Sequence, residues 1–320
     1  MMNTKNLSCE TSCSTPFLND EIEFTLKSGQ TVAAKLSGDP TKPIVIALHG
    51  WLDNANSFSL ISSLMPDHQV LALDLPGHGL SQHVAACRYY YPWEDAIVVK
   101  EVMDIIEFNQ LSKQKKYALI GHSAGGGVAT IVASIFASKV HKCILIDSIG
   151  LAFTTELDHL IKHFTSTVRR ADMAANLALD GHASDNLATF DTIEQAITER
   201  EKGFSGRLSS EAATILTLRS LKQVAGGYRW RYDPKLILQP VIQLTKSHAE
   251  SFIAAIKVDV LVILGDQGLF GEKQGEEQLS HFINAQIKTL KGGHHLHLES
   301  AKEQVAELIN QFLPTASDIH

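Results

Sequence analysis

The stretch GHSAG, residues 121–125, sets a serine between two glycines where the apolar run YALIG meets a second apolar run. A strand turning sharply into a helix there would lift the Ser123 hydroxyl above a sheet. It would also aim the free N–H groups of the helix start at that hydroxyl. Side chains at 121 and 125 would collide in so tight a turn, and Gly126 and Gly127 would let the helix lie close to the sheet. A serine hydroxyl is a poor nucleophile until a base takes its proton. Of the 15 histidines, His294 directly follows Gly292-Gly293 after the last strand-like run, where a loop can fold back over the sheet edge. His295 and His297 are expected to pack or to face solvent. The spacing H-H-x-H also resembles a metal-ligand set, but no cysteine or carboxylate cluster accompanies it, so neither metal nor organic cofactor is expected. Acyl transfer needs donors for an oxyanion as well. The N–H of Ala124, next to the serine, and that of Trp51, in ALHGW, are the candidates.

These residues need elements to hold them. From Pro43 the chain shows short apolar runs bounded by turn residues: PIVIALHG, QVLALDLPG, KYALIGHS, KCILIDS, VDVLVILGD and AQIKTLKGG. Such runs fit strands buried on both faces, and helix-length stretches such as residues 92–111 lie between most of them. The pattern predicts an α/β architecture with a mostly parallel sheet. Two alternating segments around Ser28-Gly29 predict a β-hairpin ahead of it. Residues 151–256 contain helical patterns and no convincing buried strand, which makes them an excursion expected to form a cap over the carboxyl edge. The expected organisation is a flexible tail over 1–18, a core over 19–150 and 257–320, and the cap over 151–256.

Composition removes several function classes. A formal charge of −7, without a dense run of Lys and Arg, leaves no footprint for nucleic acid. No window approaches 18 uninterrupted apolar residues, so no membrane span is expected, and the polar N-terminus does not read as a secretory signal. Cys9, Cys13, Cys87 and Cys143 form no C-x-x-C pair; Cys143 sits in an apolar run and reads as a small core residue. A cytoplasmic location is the expectation.

HGWLDNANSF, LDLPGHGLS, GHSAGG and GGHHLHLE together resemble the α/β-hydrolase superfamily along nearly the whole chain from about residue 21. HGWLDNANSF with VAGGYRWRYDPKL is more narrowly similar to the serine hydrolase-like proteins. The resemblance implies an α/β-hydrolase fold: a mostly parallel eight-stranded sheet flanked by helices, with a helical cap inserted after the sixth strand. It also implies a triad with Ser123 as nucleophile and His294 as base, with Trp51 and Ala124 at the oxyanion. Asp74 matches a position that braces a turn. Many members carry the triad acid in a G-x-x-D turn after the seventh strand. Here that turn reads Gly265-Asp266-Gln267-Gly268, with glycine at the acid position. Asp266 is one substitute; Asp147, at the end of KCILID, matches a second family solution and is favoured.

The expected reaction is hydrolysis of a small, apolar carboxylic ester through an acyl-enzyme. Serine in place of aspartate at the elbow argues against the alkyl-enzyme chemistry of epoxide hydrolases and dehalogenases. His49, Gly50, His122, Phe58, Trp93, Phe153, Tyr228 and Trp230 are the expected pocket residues. The alternatives are C–C bond hydrolysis or perhydrolysis by the same triad, or a weakly catalytic ligand-binding or receptor protein. The sequence gives no oligomeric state.

Overall fold

The computed structural model describes residues 18–85, 89–151, 157–179, 189–203, 206–238, 240, 242–270 and 272–314. The tail expected over 1–18 lies outside this set except for Leu18, as do Cys9, Cys13, Cys87 and Phe153. Eight strands form one sheet: β1 (Leu18–Thr25), β2 (Thr31–Gly38), β3 (Ile44–Leu48), β4 (Gln69–Leu73), β5 (Tyr117–His122), β6 (Val140–Ile146), β10 (Asp259–Gly265) and β11 (Ala285–Leu290). Their spatial order is β1-β2-β4-β3-β5-β6-β10-β11. β1 and β2 pair antiparallel, as the hairpin signal predicts, and β2 runs antiparallel to β4. From β4 through β11 every pairing is parallel.

The apolar runs are continuous because both sheet faces are covered. Along β3, Ile44, Ile46 and Leu48 enter one core cluster while Val45 and Ala47 enter the other, the two-residue alternation of a strand. The first face is covered by α2 (Pro92–Phe108), α3 (Ala124–Ile135) and α7 (Lys246–Ala255). The second is covered by the short α1 (Ser59–Ser62) and by α9 (Lys302–Phe312). Cys143 is fully buried in the first cluster, where burial pushes its thiol up to about 12.

After β3 the chain goes to the α1 face, and after β5 it goes to the α3 face. Two neighbouring strands whose connections leave in opposite directions open a crevice at their carboxyl ends. His49–Asp53 and Ser123 follow those two strands, so topology alone brings them to one place.

Between β6 and β10 lie α4 (Leu160–Leu179), β7 (Thr189–Phe190), α5 (Ile193–Lys202), α6 (Ser210–Ser220), β8 (Leu221–Val224), β9 (Gly227–Trp230) and then α7; α8 (Glu272–Leu279) follows β10. The sequence reading of this interval as helical, with no convincing buried strand, did not anticipate that β7, β9 and β8 form a small antiparallel sheet. These strands are two to four residues long and mix buried, half-buried and exposed positions, too short to show a period. α7 also falls inside 151–256, yet Ala249 and Ile253 bury into the main core against α3. The excursion docks on loops at the carboxyl edge. Asn54 donates to Leu216 O and Ser220 Oγ, both at 2.8 Å, and the Asp233 N–H donates to Gly77 O at 2.8 Å. Arg219 of α6 binds the buried Asp74 carboxylate, with Nε 2.9 Å from Oδ2. Asp74 also accepts from the N–H groups of Ala55 and Leu80, which makes it a brace for two loops. Among the described residues no helix is long and apolar enough to cross a membrane.

Candidate active site

Ser123 has φ 51° and ψ −117°, a left-handed backbone that a non-glycine residue holds only under strain. The glycines around it are sterically required. A Cβ on Gly121 would lie 2.5 Å from Gly125 O, and one on Gly125 would lie 2.2 Å from Leu48 O. A Cβ on Gly126 would meet Ser148 Oγ at 2.2 Å, whereas one on Gly127 would make ordinary contacts; close approach explains the first of these and not the second. β6 secures the corner. The Ser123 N–H donates to Ile146 O at 3.1 Å, and Ser148 Oγ donates to Ser123 O at 3.0 Å. Ala124 opens α3, so its N–H belongs to the first turn, which has no intrahelical acceptor.

Asp147 follows β6 with φ 38° and a fully buried side chain. Its Oδ1 accepts from the Gly265 N–H and its Oδ2 from the Leu269 N–H, both at 3.0 Å; Oδ2 also lies 2.5 Å from His294 Nδ1. Burial opposes ionisation of this carboxyl, but the hydrogen bonds from His294 and the two backbone N–H groups outweigh it and hold it below the usual carboxylate range. A Cβ at position 268 would lie 2.1 Å from Asp147 Oδ1. The glycine that replaces the customary acid is therefore the space into which the Asp147 carboxylate fits. Asp266 is exposed, and its Oδ1 accepts from the Gly292 N–H at 2.8 Å, bracing the turn that leads into the histidine loop.

The three loop histidines diverge. His294 uses Nδ1 for Asp147, which leaves Nε2 as its other polar atom. His295 Nε2 meets Asp53 Oδ2 at 3.2 Å, and His297 Nε2 meets Ser57 Oγ at 2.8 Å. All three rings surround His122, with centroids 4.3–4.8 Å from it. None of the three faces solvent. Asp53, His122 and His295 present candidate ligand atoms within 4.8 Å of one another. The Arg200 guanidinium already sits on the Asp53 carboxylate, and a divalent cation there would face that charge.

Most of the expected pocket residues pack elsewhere. His49 is buried; its Nδ1 donates to Gly50 O at 2.7 Å and its Nε2 accepts from the Leu75 N–H at 3.0 Å. Burial lowers its pKa to about 4, so it is a neutral brace under the loop. Gly50 lies against the His122 ring, and His122 lies beneath the site. Phe58 fills the core on the α9 face. Trp93, in the first turn of α2, stacks on its N-cap residue Tyr91 at 4.5 Å, and Trp230 and Tyr228 pack with Phe190 in the small antiparallel sheet. Aromatic type alone does not say which side of an element a residue faces. Trp51 differs: the residue is 42% exposed and its Nε1 donates to Leu236 O at 2.8 Å, reaching from the β3 loop to the 151–256 excursion. Asp53 and Arg200 were not expected at the site. The available signal was an acidic residue in a short loop leaving a buried strand, where an ionised side chain needs a partner.

A family model describing the α/β hydrolase fold matches residues 43–301. The chain is 29% identical over 287 residues to a serine hydrolase-like protein of Danio rerio, covering 85% of this chain and 82% of that one. It is 28% identical over 314 residues to serine hydrolase-like protein 2 of Homo sapiens, covering 93% and 95%. Its structure superimposes on that of a hypothetical protein from Pseudomonas aeruginosa PAO1 with a TM-score of 0.81 and 32% identity, covering 92% of this chain and 99% of that one. With the match spanning β3 through β11, the elbow and the histidine loop, the chain belongs to the α/β-hydrolase family.

Proposed function

We propose that this hydrolase cleaves a small carboxylic ester through a Ser123 acyl-enzyme. The observation that carries the reading is the 2.5 Å contact from His294 Nδ1 to the buried Asp147 carboxylate, which commits one ring nitrogen and leaves Nε2 for a serine. His294 Nε2 takes the Ser123 proton as Oγ attacks the acyl carbonyl, and the N–H groups of Trp51 and Ala124 stabilise the oxyanion. The protonated His294 then gives that proton to the departing alkoxide, releasing an alcohol. Water, deprotonated by the same nitrogen, attacks the acyl-enzyme and frees the acid and Ser123. Asp147 keeps its charge throughout and supports the imidazolium. Docking of the 151–256 excursion on the carboxyl-edge loops supports a small substrate over a polymer. Because Phe58, Trp93 and Trp230 pack elsewhere, acyl-group polarity is no part of the proposal.

The test is steady-state turnover of p-nitrophenyl esters from acetate to palmitate. Wild type should turn over the short esters faster than the long ones, and Ser123→Ala should lose at least about 10³-fold in kcat. Turnover unchanged by Ser123→Ala removes the proposal, and preference for emulsified palmitate removes its substrate class.

A further inference from the structure

The turn that carries Trp51 ends on Asp53, a buried carboxylate the acyl transfer does not use. Four separated pieces of chain meet there. They are the turn itself, His122 immediately before the elbow serine, His295 immediately after the proposed base, and Arg200 from α5. Arg200 binds Oδ1, His295 Nε2 donates to Oδ2 at 3.2 Å, and His122 Nδ1 lies 3.6 Å from the same Oδ2. Burial opposes the charge on Asp53, yet His295 and Arg200 outweigh it and hold the carboxyl well below its usual range.

His122 reports how finely this is balanced. Its Nε2 lies 3.0 Å from His294 O, and a carbonyl only accepts, so that nitrogen carries the ring proton. Burial lowers the pKa of the ring to about 4, so at neutral pH Nδ1 bears a lone pair. That lone pair faces a carboxylate, and Nδ1 has no hydrogen-bond partner among the described residues. The Asp53 charge is drawn mainly to His295 and Arg200, and Arg200 is the permanent cation among its partners. Without Arg200, the charge falls back on His122 and His295, and His122 is the ring that holds the backbone of His294.

We infer that Arg200 and Asp53 couple the seating of the cap to the position of His294, with Asp53 as a positioning residue acting through His122 and His295. This rests on the reading of His294 as the base. It predicts that a hydrolase with its cap displaced is a slow one even where substrate still binds.

The experiment combines fluorophosphonate labelling of Ser123, turnover of a short p-nitrophenyl ester, and the proton resonance of His294 Nδ1–H, assigned by its loss in Asp147→Ala. Asp53→Asn should lower kcat roughly ten- to hundredfold, with KM changing by less than about threefold, and should shift that resonance. Arg200→Gln, a change in the cap that keeps the carboxylate, should give a smaller loss of the same kind, largely restored in Arg200→Lys. The double variant should be no slower than Asp53→Asn alone, because both act through one carboxylate. If Asp53→Asn fails to fold, the two Arg200 variants and the resonance carry the test. Arg200→Gln with wild-type kcat and an unmoved resonance overturns the inference, as do losses that multiply in the double variant. Wild type that is not labelled, or label retained in Ser123→Ala, instead overturns the assignment of the nucleophile.

Discussion

His294 and His295 are adjacent in the chain and their rings stand 5.0 Å apart at 81°, yet each turns to a different buried carboxylate. His294 reaches Asp147 with Nδ1, whereas His295 reaches Asp53 with Nε2. The difference decides what each imidazole can do. A ring that spends Nδ1 on its acid keeps the distal nitrogen for a hydroxyl. A ring that spends Nε2 has committed the nitrogen a base would use. The acids differ too: Asp147 is satisfied by backbone N–H groups and the imidazole, while Asp53 is held by a guanidinium that never loses its proton. The first pair can accommodate an imidazolium that comes and goes, and the second is built to stay as it is. Two His–Asp contacts in one loop are therefore, on the proposed reaction, one reacting pair and one fixed pair, told apart by ring nitrogen and by third partner.

The largest break in this comparison comes from the first acid. Asp147→Asn should lower kcat about 10³- to 10⁴-fold by disturbing the His294 tautomer, with the fold retained by circular dichroism. Asp266→Asn, which removes only the brace on Gly292, should stay within about tenfold of wild type. Ester turnover by the two variants checks both, and the reverse ranking would move the acid to Asp266. A smaller effect follows from the glycine beside Asp147. In Gly268→Ala the new methyl would meet Oδ1 at 2.1 Å, so the carboxylate or the 265–269 turn has to shift. The expected cost is roughly 1–3 kcal/mol in unfolding free energy and about 10²-fold in kcat. Wild-type kinetics in Gly268→Ala would show that the carboxylate does not need that space.

The strand and helix order, the elbow and the histidine loop were legible because each is local: apolar runs, a glycine pattern and a Gly-Gly turn. The choice of acid was legible as two candidates with Asp147 favoured. It depends on which of two strand ends leaves room for a carboxylate, and Gly268 records that room only once β6 and β10 are side by side. Asp53 was legible only as an acidic residue in a short loop after a buried strand, and its partners were not, since Arg200 is 147 residues away and His295 is 242. The aromatic pocket was misread for a related reason. Phe58 and Trp230 are spent on burying apolar area in two separate clusters, and composition carries no information on which side of an element faces a crevice.

The smallest predicted effect sharpens the comparison through His122, whose ring touches both pairs. If His122 were a charged partner of Asp53, its folded pKa would lie above its unfolded value, and it would add stability that fades as pH rises. Burial first, and then the neighbouring His294 and His295 rings, place it the other way, with a folded pKa of about 4 against 6.5. Between those values the unfolded chain binds a proton that the folded chain refuses, so this residue makes stability rise with pH across the window. Its share is at most about 1.4 kcal/mol per pH unit. Urea unfolding of wild type and His122→Gln at pH 5.0, 6.0 and 7.5 should show the variant less stable at pH 7.5 but with the shallower slope, by about one proton. A steeper slope in the variant would mean that His122 is charged in the folded protein, and that the second pair shares its carboxylate with two cations instead of guarding a lone pair.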